Sequence, residues 1–142
     1  NIVKELTKLN VQINYITDGD IAGALSVIGD KPKNDIYYST GGGPEGVITA
    51  AALSCYGGQI QGRLVLNNDE KLRAKKLGIK DFSRKYNIND MVKGDVIFCA
   101  TGVTSGDLAS GVKDLGNEFE VNTFALHKSQ NTINSIRNIY NK

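Results

Sequence analysis

The apolar and polar positions of this chain alternate in a way that predicts short strands followed by helices. Residues 12–17 and 36–40 are β-branched or aromatic runs, which predict two buried strands. Each run leads through a tight turn into an apolar, alanine-rich stretch typical of a helix, over residues 21–28 and 47–56. Pro44 precedes the second stretch, at the position where a helix tolerates proline best. The order strand, turn, helix therefore occurs twice in the first part of the chain.

The rest of the chain continues this alternation of strand and helix patterns. Residues 95–101 are nearly all apolar, which predicts a central strand covered on both faces. Residues 119–127 alternate as a strand does, whereas residues 132–140 fit either a hairpin partner for that strand or a helix, because isoleucine recurs there at every third position. The other predicted elements are a helix over residues 2–9, a strand over residues 59–66, a charged helix over residues 68–77 and a capped turn at residues 89–91.

Together these elements predict one α/β domain over residues 1–142, since no internal repeat or linker divides the chain. A length of 142 residues with 40% apolar and 23% charged residues is typical of a globular domain with its own core. The net charge of +2 includes no cluster of Lys and Arg, and no apolar run reaches the ~20 residues that cross a bilayer. We therefore expect no nucleic-acid partner, no membrane partner and a cytoplasmic location. Cys55 and Cys99 lie in apolar runs without metal-binding spacing, which predicts two buried free thiols.

Two turns between predicted strands and helices carry the residues with the clearest chemistry. Asp18-Gly19-Asp20 follows the first strand, and the glycine-rich loop at residues 40–46 follows the second. In an open α/β sheet such turns lie at the carboxyl ends of strands, where ligands bind to backbone N–H groups. A carboxylate in such a place suggests a metal ion between the acid and a phosphate, because the bare acid would repel the phosphate. The sequence therefore predicts metal-assisted phosphate chemistry.

Each of these residues also has a purely structural interpretation. Glu45 could complement the positive end of a helix dipole, and Asp18 or Asp20 could cap the following helix. Three consecutive glycines exceed what a plain turn needs, which favours close approach of a ligand to the backbone. His127, the only histidine, is expected to pack or to face solvent, and residues 101–107 are expected to form a structural turn. No Ser-His-Asp arrangement is indicated.

Seven short strings, in a fixed order from about residue 17 onward, resemble the carboxyl-terminal half of a class II (GlpX-type) fructose-1,6-bisphosphatase. They are DGD at 18–20, GGGPEGV at 41–47, AAAL at 50–53, QGRL at 61–64, NDE at 68–70, ATGVT at 100–104 and GDL at 106–108. Any one of them occurs widely, but the ordered set is specific to that family.

The resemblance implies a role for each matched position. In that family the glutamate of the glycine-rich loop, here Glu45, is a ligand of a divalent metal, Mg²⁺ or Mn²⁺. The Asp-Gly-Asp turn, here Asp18, Gly19 and Asp20, contacts the sugar bisphosphate, and Gly42 lines the substrate. The implied reaction is hydrolysis of the 1-phosphate of fructose 1,6-bisphosphate to fructose 6-phosphate, a gluconeogenic step. The implied protein is a homo-oligomer with the layered α/β/α fold of the lithium-sensitive phosphatases.

The chain also departs from the family pattern. The family's remaining metal carboxylates and its Asp-Pro-x-Asp-Gly-type motif belong to the amino-terminal half and have no match in this sequence. We therefore assign no catalytic residue, and we expect the chain alone to bind substrate weakly and to hydrolyse it undetectably. The alternative is a non-catalytic nucleotide or sugar-phosphate binding module, although residues 40–46 lack the GxGxxG spacing of dinucleotide-binding loops.

Overall fold

The computed structural model describes residues 2–17, 19–29 and 31–142, which form five helices and six strands. The helices are α1 (Ile2–Lys8), α2 (Asp20–Leu25), α3 (Gly43–Cys55), α4 (Asn68–Lys76) and α5 (Ile88–Met91). The strands are β1 (Gln61–Arg63), β2 (Lys85–Asn87), β3 (Ile97–Thr101), β4 (Lys113–Asp114), β5 (Glu118–His127) and β6 (Thr132–Asn141). Within these residues, no helix combines the length and the apolar character that a bilayer crossing requires.

All the strand pairs in the described residues are antiparallel. β1 pairs with β2 in a small sheet, and β5 is the centre of a four-stranded sheet. β6 pairs with β5 along its whole length, while β3 and β4 pair with the two ends of β5 on the opposite side. The fold is thus an α/β domain in which one long hairpin organises the main sheet.

The core lies between α3 and one face of this sheet. Leu53 and Ala52 of α3 pack with Phe98 of β3 and Leu126 of β5, and Leu25 of α2 joins the same cluster. Phe98 and Leu126 are cross-strand partners, so their side chains lie on the same face of the sheet. The apolar face of the longest helix therefore covers the middle of the hairpin sheet.

The helix predictions are confirmed. The predicted helices at 2–9, 21–28, 47–56 and 68–77 correspond to α1, α2, α3 and α4, with ends shifted by a few residues. The start of α4 is a capping box, in which the Asn67 side chain accepts from the Glu70 N–H at 2.9 Å and the Glu70 carboxylate accepts from the Asn67 N–H at 2.8 Å. Residues 132–140, which fitted two structures, form a strand, since β6 is the hairpin partner of β5.

Two predicted strands are wrong. Residues 12–17 and 36–40 form no strand, and the predicted strand at 59–66 is reduced to the three residues of β1. A run of β-branched and aromatic residues favours an extended backbone, but a strand also needs a hydrogen-bonded neighbour. Instead of a strand pair, a side-chain hydrogen bond links the first segment to the residues just before the second, since Asn14 Nδ2 donates to Asn34 Oδ1 at 2.8 Å.

The prediction that residues 95–101 form a strand covered on both faces is also wrong in part. β3 does form there, but only Phe98 is fully buried, and Ile97 is 68% exposed. Cys99 lies on the same uncovered face as Ile97 and is exposed, whereas Cys55 is buried in the core as predicted. Both thiols are free. The reason is that α3 covers one face of the sheet, and an apolar run by itself does not show how many faces are covered.

Glu120 is the buried charge of the main sheet. Its side chain accepts from Lys113 Nζ at 3.0 Å, from Arg137 Nη2 at 2.6 Å and from Asn122 Nδ2 at 3.3 Å. These hydrogen bonds lower the pKa of Glu120 from 4.5 to about 2, and the bond from Lys113 contributes most to that shift. The ionised form is therefore bound to its partners only in the folded state, so it stabilises the fold above pH 4.5 and this stabilisation is lost as the pH falls toward 2.

Replacing Glu120 with glutamine is expected to lower the urea midpoint at neutral pH and to flatten the fall in stability between about pH 5 and pH 2. The physical reason is that glutamine cannot be protonated and leaves Lys113 and Arg137 without their shared anion. Urea unfolding at several pH values measures the effect. Glu118→Gln, at the start of the same strand, is the control and should keep the pH dependence of the original chain; an identical flattening in both variants would contradict the assignment.

Candidate functional site

The first candidate turn leads into α2. Gly19 is the N-cap residue and has a left-handed backbone, with φ 85° and ψ 53°, which favours glycine. Asp20 is the first helical residue, one position after the N-cap residue. Asp20 is therefore not the cap of α2. Asp18 lies outside the described residues.

The Asp20 carboxylate is held by a residue from the second segment. Tyr37 donates its hydroxyl proton to Asp20 Oδ1 at 2.8 Å. The Tyr37 ring lies against the backbone of α2 at Gly23, where a methyl group in place of hydrogen would come within 2.6 Å of the ring. Burial raises the pKa of Tyr37, and the neighbouring Asp20 raises it further, so the phenol stays a hydrogen-bond donor at neutral pH. Tyr37 is thus a positioning residue for Asp20.

The glycine-rich loop lies beside this carboxylate. A methyl group on Gly41 would come within 2.6 Å of Asp20 Oδ2, and one on Gly42 would collide with the carboxylate of Glu45. Gly42 has an ordinary extended backbone, with φ −68° and ψ 151°, so its conformation does not require glycine. The structure therefore places the carboxylates of Asp20 and Glu45 against two consecutive glycines.

Glu45 occupies the first turn of α3. Gly42 is the N-cap residue, Pro44 is the second helical residue and Glu45 is the third, exposed to solvent. Glu45 caps no N–H group, and among the described residues it takes part in no ion pair. Its position is compatible with the helix-dipole interpretation and leaves both carboxylate oxygens available to a cation.

The arrangement suits a hard divalent cation, but these residues supply only part of a metal site. Carboxylate oxygens are the ligands that Mg²⁺ and Mn²⁺ prefer. Within residues 2–17, 19–29 and 31–142, no group of three or more His, Cys, Asp or Glu side chains could hold a metal ion. The chemistry of the donors fits the predicted metal, whereas their number requires further ligands.

The loop residues of the site, Gly41, Gly42 and Glu45, are exposed to solvent. Two shallow cavities, of about 190 and 160 Å³, lie elsewhere, one beside Gly58 and Ile88 and the other beside Ala22 and Asp107. Both are smaller than the ~300 Å³ of a typical small-molecule pocket. Neither cavity includes the Gly41-Gly42 loop.

His127 forms a cluster with two residues that the sequence did not single out. Its Nε2 lies 2.7 Å from Asp95 Oδ2 and 3.2 Å from Ser129 Oγ, and Ser129 Oγ also donates to Asp95 Oδ2 at 2.7 Å. The Asp95 hydrogen bond raises the pKa of His127. A catalytic triad needs the acid and the nucleophile on different ring nitrogens, whereas here both contact Nε2. The cluster ties the β5–β6 turn to the start of β3, consistent with the packing role expected for this histidine.

The loop at residues 101–107 forms a turn against the sheet. The Gly102 N–H donates to the Asn122 carbonyl at 3.0 Å, and a methyl group on Gly102 would collide with the carbonyl of Ser110. Asp107 pairs with Lys33 at 3.3 Å on the exposed surface. The structural role expected for this loop agrees with these contacts.

Tyr37 and Gly23 are the site residues that sequence reasoning missed. The sequence offered two hints: a tyrosine inside one predicted strand and a glycine inside a short predicted helix. A glycine in a helix lowers the stability of the helix by about 1 kcal/mol relative to alanine. A helical glycine of this kind indicates close packing, but no sequence motif links it to the residue that packs against it. Only the fold identifies the tyrosine ring as that partner.

Replacing Tyr37 with phenylalanine is expected to lower the free energy of unfolding by about 1 kcal/mol, because the hydroxyl group and its hydrogen bond to Asp20 are lost. Urea unfolding of the chain measures this loss. Tyr38→Phe is the matched control, since Tyr38 is 71% exposed. Equal effects in both variants would contradict the positioning role of Tyr37.

Comparison with known proteins confirms the family that the sequence resembles. The family model described as "Bacterial fructose-1,6-bisphosphatase, glpX-encoded" matches residues 1–140. Fructose-1,6-bisphosphatase 2 class 2 of Escherichia coli K12 is 31% identical over 97% of this chain and 47% of its own length. Fructose-1,6-bisphosphatase class 2 of Haemophilus influenzae Rd is 32% identical over 98% of this chain and 46% of its own length. The chain thus spans about half the length of these curated relatives, and it belongs to the glpX-encoded bacterial fructose-1,6-bisphosphatase family.

Proposed function

We propose that this chain is the carboxyl-terminal part of a cytoplasmic, metal-dependent phosphatase that converts fructose 1,6-bisphosphate to fructose 6-phosphate in gluconeogenesis. The observation that carries the proposal is that the Asp20 carboxylate lies against Gly41 and the Glu45 carboxylate against the next residue, Gly42. Family membership supports it, because the curated relatives are named fructose-1,6-bisphosphatases. The layered α/β/α fold and the homo-oligomer expected from the family are parts of the same proposal.

Glu45 would be one ligand of a Mg²⁺ or Mn²⁺ ion in the complete site. When bound, such an ion neutralises charge on the phosphoryl oxygens and lowers the pKa of a bound water. The role of Glu45 is to present a hard oxygen donor from the rigid first turn of a 13-residue helix. The neighbouring glycines keep the backbone small, so that a ligand can approach the N–H groups of this helix start.

The sugar would be held by the turn that precedes α2. A carboxylate accepts two hydrogen bonds from neighbouring hydroxyl groups, which suits Asp20 and, outside the described residues, Asp18. Tyr37 fixes one oxygen of Asp20 and leaves the other, Oδ2, directed at the Gly41 backbone. Gly19 and Gly42 would line the same substrate without obstructing it.

Exposed apolar residues beside the site support the view that more protein covers it. Tyr15, Ile36 and Tyr38 are 74%, 83% and 71% exposed, and they lie in the two segments that contain the site turns. Exposed apolar side chains of this size are common at surfaces that a further part of a protein covers. In the proposed enzyme this surface would contact the part that supplies the remaining metal ligands.

Thermal unfolding of the chain tests the proposal. Fructose 1,6-bisphosphate with Mn²⁺ is expected to raise the melting temperature by a few degrees, whereas either one alone should give a smaller shift, since the anion and the cation bind together. NAD or ATP, added without metal, should give no shift. Stabilisation by NAD or ATP alone, with none by the sugar bisphosphate and Mn²⁺, would favour the non-catalytic binding module instead.

Phosphate release tests whether the site is incomplete. With Mn²⁺ and fructose 1,6-bisphosphate, the 142-residue chain is expected to release no detectable phosphate, because it holds one proposed metal ligand and part of the sugar site. A longer protein that contains the chain should release phosphate under the same conditions. Robust, metal-dependent release by the 142-residue chain would overturn this part of the proposal.

A further inference from the structure

The short segment that carries Tyr37 runs along one side of α2. Asp20, Gly23 and Ser26 are spaced three residues apart, so they lie on the same side of this helix. Tyr37 contacts the first two of them, through its hydroxyl group at Asp20 and its ring at Gly23. Asn34 contacts the third, because its Nδ2 donates to Ser26 Oγ at 2.8 Å. The segment therefore passes antiparallel to α2, from the carboxyl end of the helix to its amino end.

Ser26 is the C-cap residue of α2, and both the backbone and the side chain of the segment bind it. Its carbonyl accepts from the Lys33 N–H at 2.9 Å and from the Asn34 N–H at 3.2 Å. Both bonds end on one oxygen, which fixes a distance but not a direction. The Asn34 side chain adds a second point at Ser26 Oγ, which is itself held because it donates to the Gly23 carbonyl at 2.6 Å. The side chain of Asn34 thus orients what the backbone only attaches.

Asn34 also contacts the segment that precedes α2. Its Oδ1 accepts from Asn14 Nδ2 at 2.8 Å. Two positions further along, Ile16 lies against Gly23, as the Tyr37 ring does. No described strand joins these two segments, so side-chain contacts decide how they lie relative to each other. The Asn34 amide serves both neighbours, with its oxygen as the acceptor for one and its nitrogen as the donor for the other.

The position of Tyr37 along α2 has little tolerance. From Ser26 to Asp20 the helix is ~9 Å long, at 1.5 Å per residue. The chain from Asn34 to Tyr37 reaches ~10 Å when extended, which is a similar length. The bond from the Tyr37 hydroxyl to Asp20 Oδ1 is 2.8 Å long, so a slip of the segment by one residue, ~3.3 Å, would break it. Fixing Asn34 at Ser26 therefore fixes the contact at the other end of α2.

We propose that Asn34 is a positioning residue for the substrate site, because its side chain sets the register of residues 34–37 along α2 so that Tyr37 holds the Asp20 carboxylate in place. The consequence for the substrate rests on the proposed function, in which Asp20 contacts the sugar. The contact between Tyr37 and Asp20 does not rest on it. Removing the Asn34 amide leaves Asp20 in the site with a less defined orientation, which weakens its hydrogen bonds to sugar hydroxyl groups and leaves the proposed metal ligand Glu45 unchanged.

A double-mutant cycle on the 142-residue chain tests the register, with urea unfolding as the measurement. Tyr37→Phe removes the hydroxyl group, and its cost in free energy of unfolding is measured in the original chain and in an Asn34→Ala background. We expect the cost in the Asn34→Ala background to be less than about half of that in the original chain, because the hydroxyl group no longer lies at Asp20. Asn138→Ala, at an exposed position of β6, is the matched control background and should leave the cost of Tyr37→Phe unchanged.

Ser26→Ala is the second background for this cycle. It removes the acceptor of the Asn34 amide but keeps the carbonyl that binds the Lys33 and Asn34 N–H groups, so the chain should fold even if Asn34→Ala does not. Far-ultraviolet circular dichroism checks the folding of each variant. An unchanged cost of Tyr37→Phe in the Asn34→Ala background, or in the Ser26→Ala background if Asn34→Ala does not fold, would overturn the proposal.

Steady-state kinetics of the phosphatase that contains this chain test the consequence for the substrate. At saturating Mn²⁺, Asn34→Ala is expected to raise KM for fructose 1,6-bisphosphate at least about fivefold and to change kcat by less than about twofold, because a sugar contact is weakened and the metal ligand is kept. Partial unfolding would instead lower kcat and leave KM unchanged, since it only reduces the amount of active enzyme. Asn138→Ala should change neither constant.

The two measurements separate this proposal from the proposed function. A phosphatase that releases no phosphate with the original chain would contradict the proposed function, and the unfolding cycle would still decide whether Asn34 sets the contact between Tyr37 and Asp20. An unchanged KM in an active Asn34→Ala enzyme would overturn the role of Asn34 in the substrate site.

Discussion

Replacing Glu45 with glutamine is expected to lower kcat/KM for fructose 1,6-bisphosphate by at least about 100-fold in the proposed phosphatase that contains this chain. The amide keeps the shape of the side chain but replaces an anionic oxygen donor with a neutral one, which binds Mg²⁺ or Mn²⁺ more weakly. Loss of a residue that only supports a metal ligand typically costs 10–100-fold, so loss of the ligand itself should cost at least the upper value. Assays over a range of Mn²⁺ concentrations should show that excess metal restores part of the activity.

Asp69→Asn is the matched control for Glu45→Gln. Asp69 is an exposed acid in the first turn of α4, where it complements a helix dipole as Glu45 does in α3. A dipole contributes about 0.3–1 kcal/mol to stability at such a position, so both variants should lose a similar, small amount of stability. Only Glu45→Gln should lose activity.

Direct binding of Mn²⁺ to the 142-residue chain gives a readout that does not need activity. Electron paramagnetic resonance of free Mn²⁺ is expected to show weak binding in the presence of fructose 1,6-bisphosphate, and Glu45→Gln should abolish it. Equal Mn²⁺ binding by Glu45→Gln and Asp69→Asn would show that Glu45 acts on the helix and not on a metal.

Replacing Leu126 with alanine is expected to lower the free energy of unfolding by about 2–5 kcal/mol. Leu126 is 1% exposed at the centre of the core, where it lies beside Phe98 on the same face of the sheet and faces α3. The loss has two parts. One is the free energy of transferring the removed methyl groups from water to the core, and the other is the cost of the cavity that they leave, since the strands on either side cannot collapse into it. An effect of this size is a large fraction of the stability of a typical domain.

Urea unfolding measures the Leu126→Ala effect, with Leu77→Ala as control. Leu77 is exposed after the end of α4, so its truncation should change the free energy of unfolding by less than about 0.5 kcal/mol. A loss below 1 kcal/mol for Leu126→Ala would contradict a core between α3 and the β5–β6 hairpin.

The helices and the hairpin could be predicted because their signals are local. Pro44 and the glycines before it define the start of α3, and the alternation of apolar residues in β5 is visible without any knowledge of the fold. The order of the short motifs predicted the family, which the match over residues 1–140 confirms. The roles of Asp18, Gly19, Asp20, Gly42 and Glu45 remain predictions.

The sequence alone determined which residues could carry chemistry, because carboxylates and glycines in a short loop limit what that loop can do. It also determined where helices begin, since capping and proline preferences act within a few residues. Only the tertiary structure decided that Tyr37 holds Asp20, that the Asp20 carboxylate lies against Gly41, and that one face of β3 stays open. These features depend on contacts between segments that are distant along the chain, and residues 12–17 and 36–40 illustrate the reason: an extended pattern becomes a strand only where a neighbouring backbone completes its hydrogen bonds.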